Sequence, residues 1–281
     1  MHATGEIVNQ RYVPCGKCSA CCSRHAYNVY KRLEYESTLY EEFPLFLTLT
    51  YSDENIPEGS PYRPVCKPFD RYRKSKQKHI DFADAHSTDS FYHVSKPDWQ
   101  KFMKDLRYRL GTGVRFFTLA EYGGEFGRPH YHALLFNHHL PMTHQSQAYD
   151  ASEIFADIWK KGHVLCELAP TAAMKYVSGY HAIRQNSPPG SMPSFVLSSM
   201  RPGIGKLKKE DADWVRDHSF TDRALPYMKL SSYQRKQVYP DGDFLVMSTD
   251  MPLAPDRDQR VDMWFRDNKL RDHGKFVDKL L

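Results

Sequence analysis

The feature that most constrains the fold is a pair of strand-like runs, Val114 to Glu121 and His130 to Phe136, separated by a turn carrying Gly123, Gly124 and Gly127. Runs rich in β-branched and aromatic residues on either side of a glycine turn predict an antiparallel hairpin. Side chains alternate along a strand, so His130 and His132 share one face. Glu121 closes the first strand, and the hairpin brings it beside His130 or His132, with the register left open. Two imidazoles and a carboxylate suit Mg²⁺ or Mn²⁺ acting on a phosphate, and Zn²⁺ accepts the same donors.

The flanking pattern places this hairpin in a larger sheet. Leu45 to Tyr51 alternates as a strand does. Ser95, Pro97 and Asp98 start a helix whose apolar face is Trp99, Phe102, Met103, Leu106 and Leu110, stopped by Gly111 and Gly113. Ser152 is expected to cap a second helix bearing Ile154, Phe155, Ile158 and Trp159; a short strand, His163 to Leu168, and a helix from Thr171 to about Arg184 follow. The order β, α, β, β, α, β, α predicts an α+β chain with a ferredoxin-like βαββαβ core and an antiparallel central sheet. Helices are expected on one face, with the other open to a ligand. The expected organisation is a cysteine-rich N-terminal segment (1–44), a core (45–185) and a C-terminal extension (186–281) with a helix near 258–270. Within the core, the polar, basic stretch 52–94 reads as a long loop.

Composition bounds the partners loosely. The 281 residues carry a formal charge of +5, which permits a nucleic-acid partner without requiring one. No stretch approaches the roughly 18 apolar residues of a membrane span and no leader pattern opens the chain, so an unexported protein without a membrane partner is expected. Of the six cysteines, four crowd together as Cys15, Cys18, Cys21 and Cys22. Reduced thiols at this spacing can chelate an ion such as Zn²⁺, with Cys22, His25, Cys66 and Cys166 as alternatives for the fourth ligand.

Tyr176 and Tyr180 are i and i+4, which puts both phenols on one face of their helix, and Arg184 lies one turn further on. A phenol is a weak nucleophile at neutral pH, and a metal that polarises a phosphate assists it. Arg71, Arg73 and Lys74, in a basic stretch interleaved with aromatic residues, and Arg201, Lys206 and Lys208, in a glycine loop, are candidate contacts to single-stranded DNA.

Five blocks then combine: Pro14-Cys15-Gly16-Lys17-Cys18 with Cys21; Phe46-Leu47-Thr48-Leu49-Thr50-Tyr51; Glu121-Tyr122-Gly123 with Arg128-Pro129-His130-Tyr131-His132; the Tyr176/Tyr180 helix; and Arg201-Pro202-Gly203-Ile204-Gly205. In this order the chain resembles the replication initiators of the gokushovirus branch of the Microviridae, within the histidine-hydrophobic-histidine rolling-circle endonucleases. The resemblance implies that His130 and His132 ligate a divalent metal, with Glu121 as third ligand. It also implies that Tyr176 or Tyr180 attacks a phosphodiester of the phage origin in the bacterial cytoplasm, leaving a 5′-phosphotyrosine and a free 3′-hydroxyl. Such helices usually carry a lysine three or four residues after the tyrosine. Here those places hold Gly179 and Tyr180, or Ile183 and Arg184, and which tyrosine acts first stays open. No Gly-x-x-x-x-Gly-Lys-Ser/Thr loop is present, so helicase and polymerase are expected from the host. The alternatives are an origin-binding module without catalysis and a single-tyrosine transposase or relaxase.

Overall fold

A computed structural model describes residues 18–65, 73–182, 187–218 and 230–240. Its centre is a five-stranded antiparallel sheet of β1 (Leu45–Thr50), β4 (Arg115–Tyr122), β5 (Pro129–Phe136), β6 (Val164–Leu168) and β7 (Phe195–Ser198), in the order β6-β1-β5-β4-β7. With α3 (Lys96–Leu110) and α5 (Ser152–Trp159) as the crossovers, the first four of these strands and the two helices form the expected βαββαβ core. β7 adds an edge strand beside β4, an element the turn-rich sequence after Gln185 does not announce.

The two faces of the sheet bury different sets. On one, Leu45, Leu47, Leu49, Tyr131, Ala133 and Leu135 pack under Trp99, Phe102 and Leu106 of α3 and Phe155 and Trp159 of α5. Ser95 caps α3 as expected, accepting a hydrogen bond from the Asp98 amide at 3.2 Å. Ser152 departs from expectation. The chain enters α5 directly from α4 (Gln145–Asp150), and the Ser152 hydroxyl instead accepts from the Cys166 amide, tying α5 to β6.

The second face is closed, contrary to the open face expected. Val29 and Leu33 of α1 (Ser19–Ser37) and Met174 and Val177 of α6 (Thr171–Ala182) cover Phe117, Leu119, Leu134 and Phe136. Helix α1 escaped the sequence reading because its inward stripe is sparse and ends in a carboxylate, Glu36, which is fully buried. Glu36 pairs with Arg115 of β4 and accepts from the Gly205 amide at 2.6 Å. The Arg-Pro-Gly-Ile-Gly loop is thus a clasp on α1: Ile204 enters the core, its carbonyl accepts from Arg32, and a Cβ at Gly205 (φ +72°) would lie 2.6 Å from the Arg32 backbone.

The stretch 52–94 is also more ordered than the loop expected. It carries a small ribbon of β2 (Glu58–Gly59) and β3 (Phe91–Tyr92) and a helix, α2 (Arg73–Ala85), whose polar composition hid it. Helices α7 (Lys209–His218) and α8 (Ser232–Val238) complete the described chain. The helix expected near 258–270 lies outside the described residues.

Candidate metal centre

The sheet register fixes what the sequence left open. Glu121 faces His130 across the β4/β5 pair, and Leu119 faces His132. On the other side of β5, Thr50 faces His130 and Thr48 faces His132. All these side chains point to the α1/α6 face, but beyond the end of its apolar packing. Tyr131, between the histidines, points the other way, and its hydroxyl is fixed by the Ser95 backbone at 2.8 and 2.9 Å.

Glu121, His130 and His132 are buried (2, 7 and 1% exposed) and offer one ligand atom each within 4.8 Å of one another. Glu121 Oε1 lies 3.3 Å from Nε2 of both histidines. His130 Nδ1 lies 3.2 Å from the Arg128 carbonyl, and because a carbonyl only accepts, Nδ1 carries a proton. Nε2 therefore meets an acceptor-only carboxylate and needs a cation, a proton or a metal, between them. His132 Nε2 and Glu121 Oε2 are buried with no hydrogen-bond partner. Buried polar atoms are almost always paired, so converging orphans of this kind fit an ion.

The electrostatics agree with a ligand set held ready. Burial alone would raise the Glu121 carboxyl, but hydrogen bonds and charge from His130 and His132 hold it down at about 2. Burial pushes His132 below the ordinary imidazole range, only partly opposed by Glu121, and so keeps a lone pair available. His132 Nδ1 lies 3.2 Å from the Thr48 hydroxyl, which leaves Nε2 as the nitrogen facing the site. A threonine in this supporting position was not singled out from sequence. Only the long-range register of β1 against β5 reveals it.

The remaining predicted residues fall at graded distances. Tyr176 is half-buried on α6, its ring edge-on to His132 at 5.6 Å between centroids, and Phe46 stacks on His132 at 5.5 Å. Tyr180 sits one turn later in α6, while Arg184 lies outside the described residues. Cys18 precedes α1, with Cys21 and Cys22 in its first turn; Cys15 lies outside. Of the basic positions, Lys74 is exposed on α2, Arg73 opens that helix, and Arg71 is outside. Arg201, Lys206 and Lys208 are exposed around the clasp.

The comparisons converge on one group of proteins. Residues 82–184, which hold all three ligands and most of α6, match the family model of the ORF2-type replication-associated proteins. The chain is 29% identical over 251 residues to the replication-associated protein ORF2 of Spiroplasma virus 4, covering 81% of this chain and 67% of that protein. It is 26% identical over 184 residues to the replication-associated protein VP4 of Bdellovibrio phage phiMH2K, covering 60% of this chain and 47% of the relative. For the replication-associated protein ORF4 of Chlamydia phage 1 the identity is 22% over 178 residues, covering 60% of this chain and 37% of the relative. The chain thus spans about two thirds of the first of these and less than half of the other two. No solved structure matches it.

Proposed function

With residues 82–184 related to small-phage replication-associated proteins, we propose that this chain initiates phage replication as a metal-dependent single-strand DNA endonuclease and strand transferase. One observation carries the reading. A buried carboxylate and two imidazoles converge with unpartnered atoms, and a tyrosine from a separate helix packs edge-on against one of them.

His130, His132 and Glu121 would hold the ion, and two imidazoles with one carboxylate favour Mn²⁺ or Zn²⁺ over the oxygen-seeking Mg²⁺. When bound, the ion supplies Lewis-acid polarisation of a phosphate oxygen. Thr48 and the Arg128 carbonyl orient the two rings toward it. The phenol oxygen of Tyr176 or Tyr180 forms a bond to phosphorus as the bond from phosphorus to the 3′-oxygen breaks. The phenol proton leaves, and the 3′-oxygen ends protonated as a free hydroxyl. The other tyrosine reverses the linkage when that 3′-hydroxyl, or a newly copied one, returns. Arg184 serves as a fixed charge near the phosphate, and exposed Lys74, Arg201, Lys206 and Lys208, with Arg71 and Arg73, contribute phosphate contacts. Zn²⁺ at Cys15, Cys18, Cys21 and Cys22 belongs to the same proposal, as do the phage origin strand, host helicase and host polymerase as partners and the bacterial cytoplasm as its setting. Among the described residues no helix is long and apolar enough to cross a membrane.

Incubation with a labelled origin strand and Mn²⁺, resolved on a denaturing gel, should give a covalent protein-DNA band. Binding without any adduct would leave an origin-binding module instead.

A further inference from the structure

The turn that joins the two ligand-bearing strands has features the metal site does not use. Glu121 lies two residues before Gly123 and His130 two after Arg128, so the tip of the turn borders the mouth of the site. The turn is held in shape. The Gly123 amide donates to the Arg128 carbonyl at 2.9 Å, and the Gly127 amide donates to Gly123. Arg128 anchors it to the loop after β1, donating to Asp53 at 2.6 Å and to the Tyr51 carbonyl at 2.8 Å. At the tip of this braced turn stands Phe126, 72% exposed.

Gly124 beside it has no positive φ, and a Cβ there would meet nothing within 4 Å. Neither backbone conformation nor internal packing asks for glycine at that position. Glycine without an internal reason marks a place where another molecule approaches the backbone.

The geometry points to the β4-β5 tip as a base-stacking element, with Phe126 taking a nucleobase of the single strand whose phosphate lies at Glu121, His130 and His132. It rests on the endonuclease reading and adds to it a contact that holds the base beside the reacting phosphate. Phe126 is four residues from His130, so its Cα lies within about 14 Å of that ligand, close enough for a neighbouring nucleotide. A nucleobase fits better than a protein partner, because one ring flanked by glycines and the exposed Glu125 does not make a contiguous apolar patch. The Glu125 carboxylate repels phosphate, which turns the base toward the tip and the backbone away. Stacking uses the π-face that every base has, so this contact is sequence-tolerant.

The test uses the full chain, Mn²⁺ and a fluorescent mixed-sequence single-stranded oligonucleotide, with a second oligonucleotide carrying 2-aminopurine. Phe126→Ala should weaken binding roughly 5- to 150-fold and abolish 2-aminopurine quenching, while Phe126→Trp restores both. The salt slope should not change, because a stack neutralises no phosphate. Gly124→Ala should weaken binding with thermal stability unchanged or slightly raised. Mn²⁺ affinity, read by calorimetry without DNA, should equal wild type in all three variants. Wild-type DNA affinity in Phe126→Ala, or a loss accompanied by weaker Mn²⁺ binding, overturns the stacking role while adduct formation by the wild type keeps the endonuclease reading. A wild-type protein that neither binds nor links to single-stranded DNA overturns both.

Discussion

Thr48 gives a sharp test of how the site is built. Its hydroxyl lies 3.2 Å from His132 Nδ1 and is expected to accept that nitrogen's proton when Nε2 is given to an ion. Thr48→Val keeps the shape and the strand preference of the side chain but removes the acceptor. In the metal-free protein the imidazole proton can move to Nε2, 3.3 Å from Glu121 Oε1, so stability should change by less than about 0.5 kcal/mol. With metal bound that escape closes, and a ring N–H is buried without a partner. Loss of such a supporting hydrogen bond typically weakens metal affinity about 10- to 100-fold. At saturating Mn²⁺ this makes the metal-induced gain in unfolding free energy smaller by about 1.4 to 2.7 kcal/mol. Urea unfolding with and without Mn²⁺, together with direct Mn²⁺ titration, reads both quantities, and Thr48→Ser should behave as wild type. If the valine variant bound Mn²⁺ as wild type does, or lost its stability without metal instead, the assigned ring orientation would be wrong.

Other outcomes follow from the same geometry. His130→Ala and His132→Ala should lose Mn²⁺-dependent adduct formation while remaining folded by circular dichroism, and Glu121→Ala should shift the Mn²⁺ titration to higher concentration; full activity in either histidine variant removes that ligand. Tyr176→Phe and Tyr180→Phe should each still form an adduct and the double variant none, whereas complete loss in one single variant identifies a one-tyrosine enzyme. Gly162→Ala would set a Cβ 2.3 Å from the Thr50 carbonyl and break the bonds of Thr50 to His163 and Ser52 to Lys161, costing about 2 to 4 kcal/mol in a urea melt. Glu121 is held at about 2 in the fold against about 4.3 unfolded, so the stability it contributes is fully present above about pH 4.3 and lost as pH falls toward 2. Metal-free wild type and Glu121→Gln should therefore converge in urea midpoint over that window, and a constant gap would contradict the depressed carboxyl.

The metal ligands were legible in sequence because they need only local rules. Period-two alternation puts His130 and His132 on one face, and a single hairpin turn brings Glu121 back to them. The core strands and α3 were legible for the same reason, each carrying its apolar rhythm in its own residues. What stayed hidden depends on pairing between distant segments. Thr48 acquires its role only when β1 lies against β5, and α1 declares itself only when Glu36 finds Arg115 and the Gly205 amide. Helix α2 was missed for a different reason, since its mostly polar residues give no apolar stripe for periodicity to detect. Ser152 shows the converse error: a good capping residue recruited instead to hold a strand.

Every metal ligand sits on one hairpin, whereas the tyrosines arrive on a helix that begins after β6 and docks from above. Ion capture and nucleophile delivery therefore draw on separate parts of the chain. Loosening the seat of α6 should slow strand transfer and leave the ion in place, and swapping the metal should change chemistry without disturbing the helix. Tyr176 and Tyr180 differ by about 6 Å along that helix. A modest slide of α6 over a stationary ion is then a sufficient displacement to hand the work from one phenol to the next, and the apolar seam under Val177 sets how easily it moves.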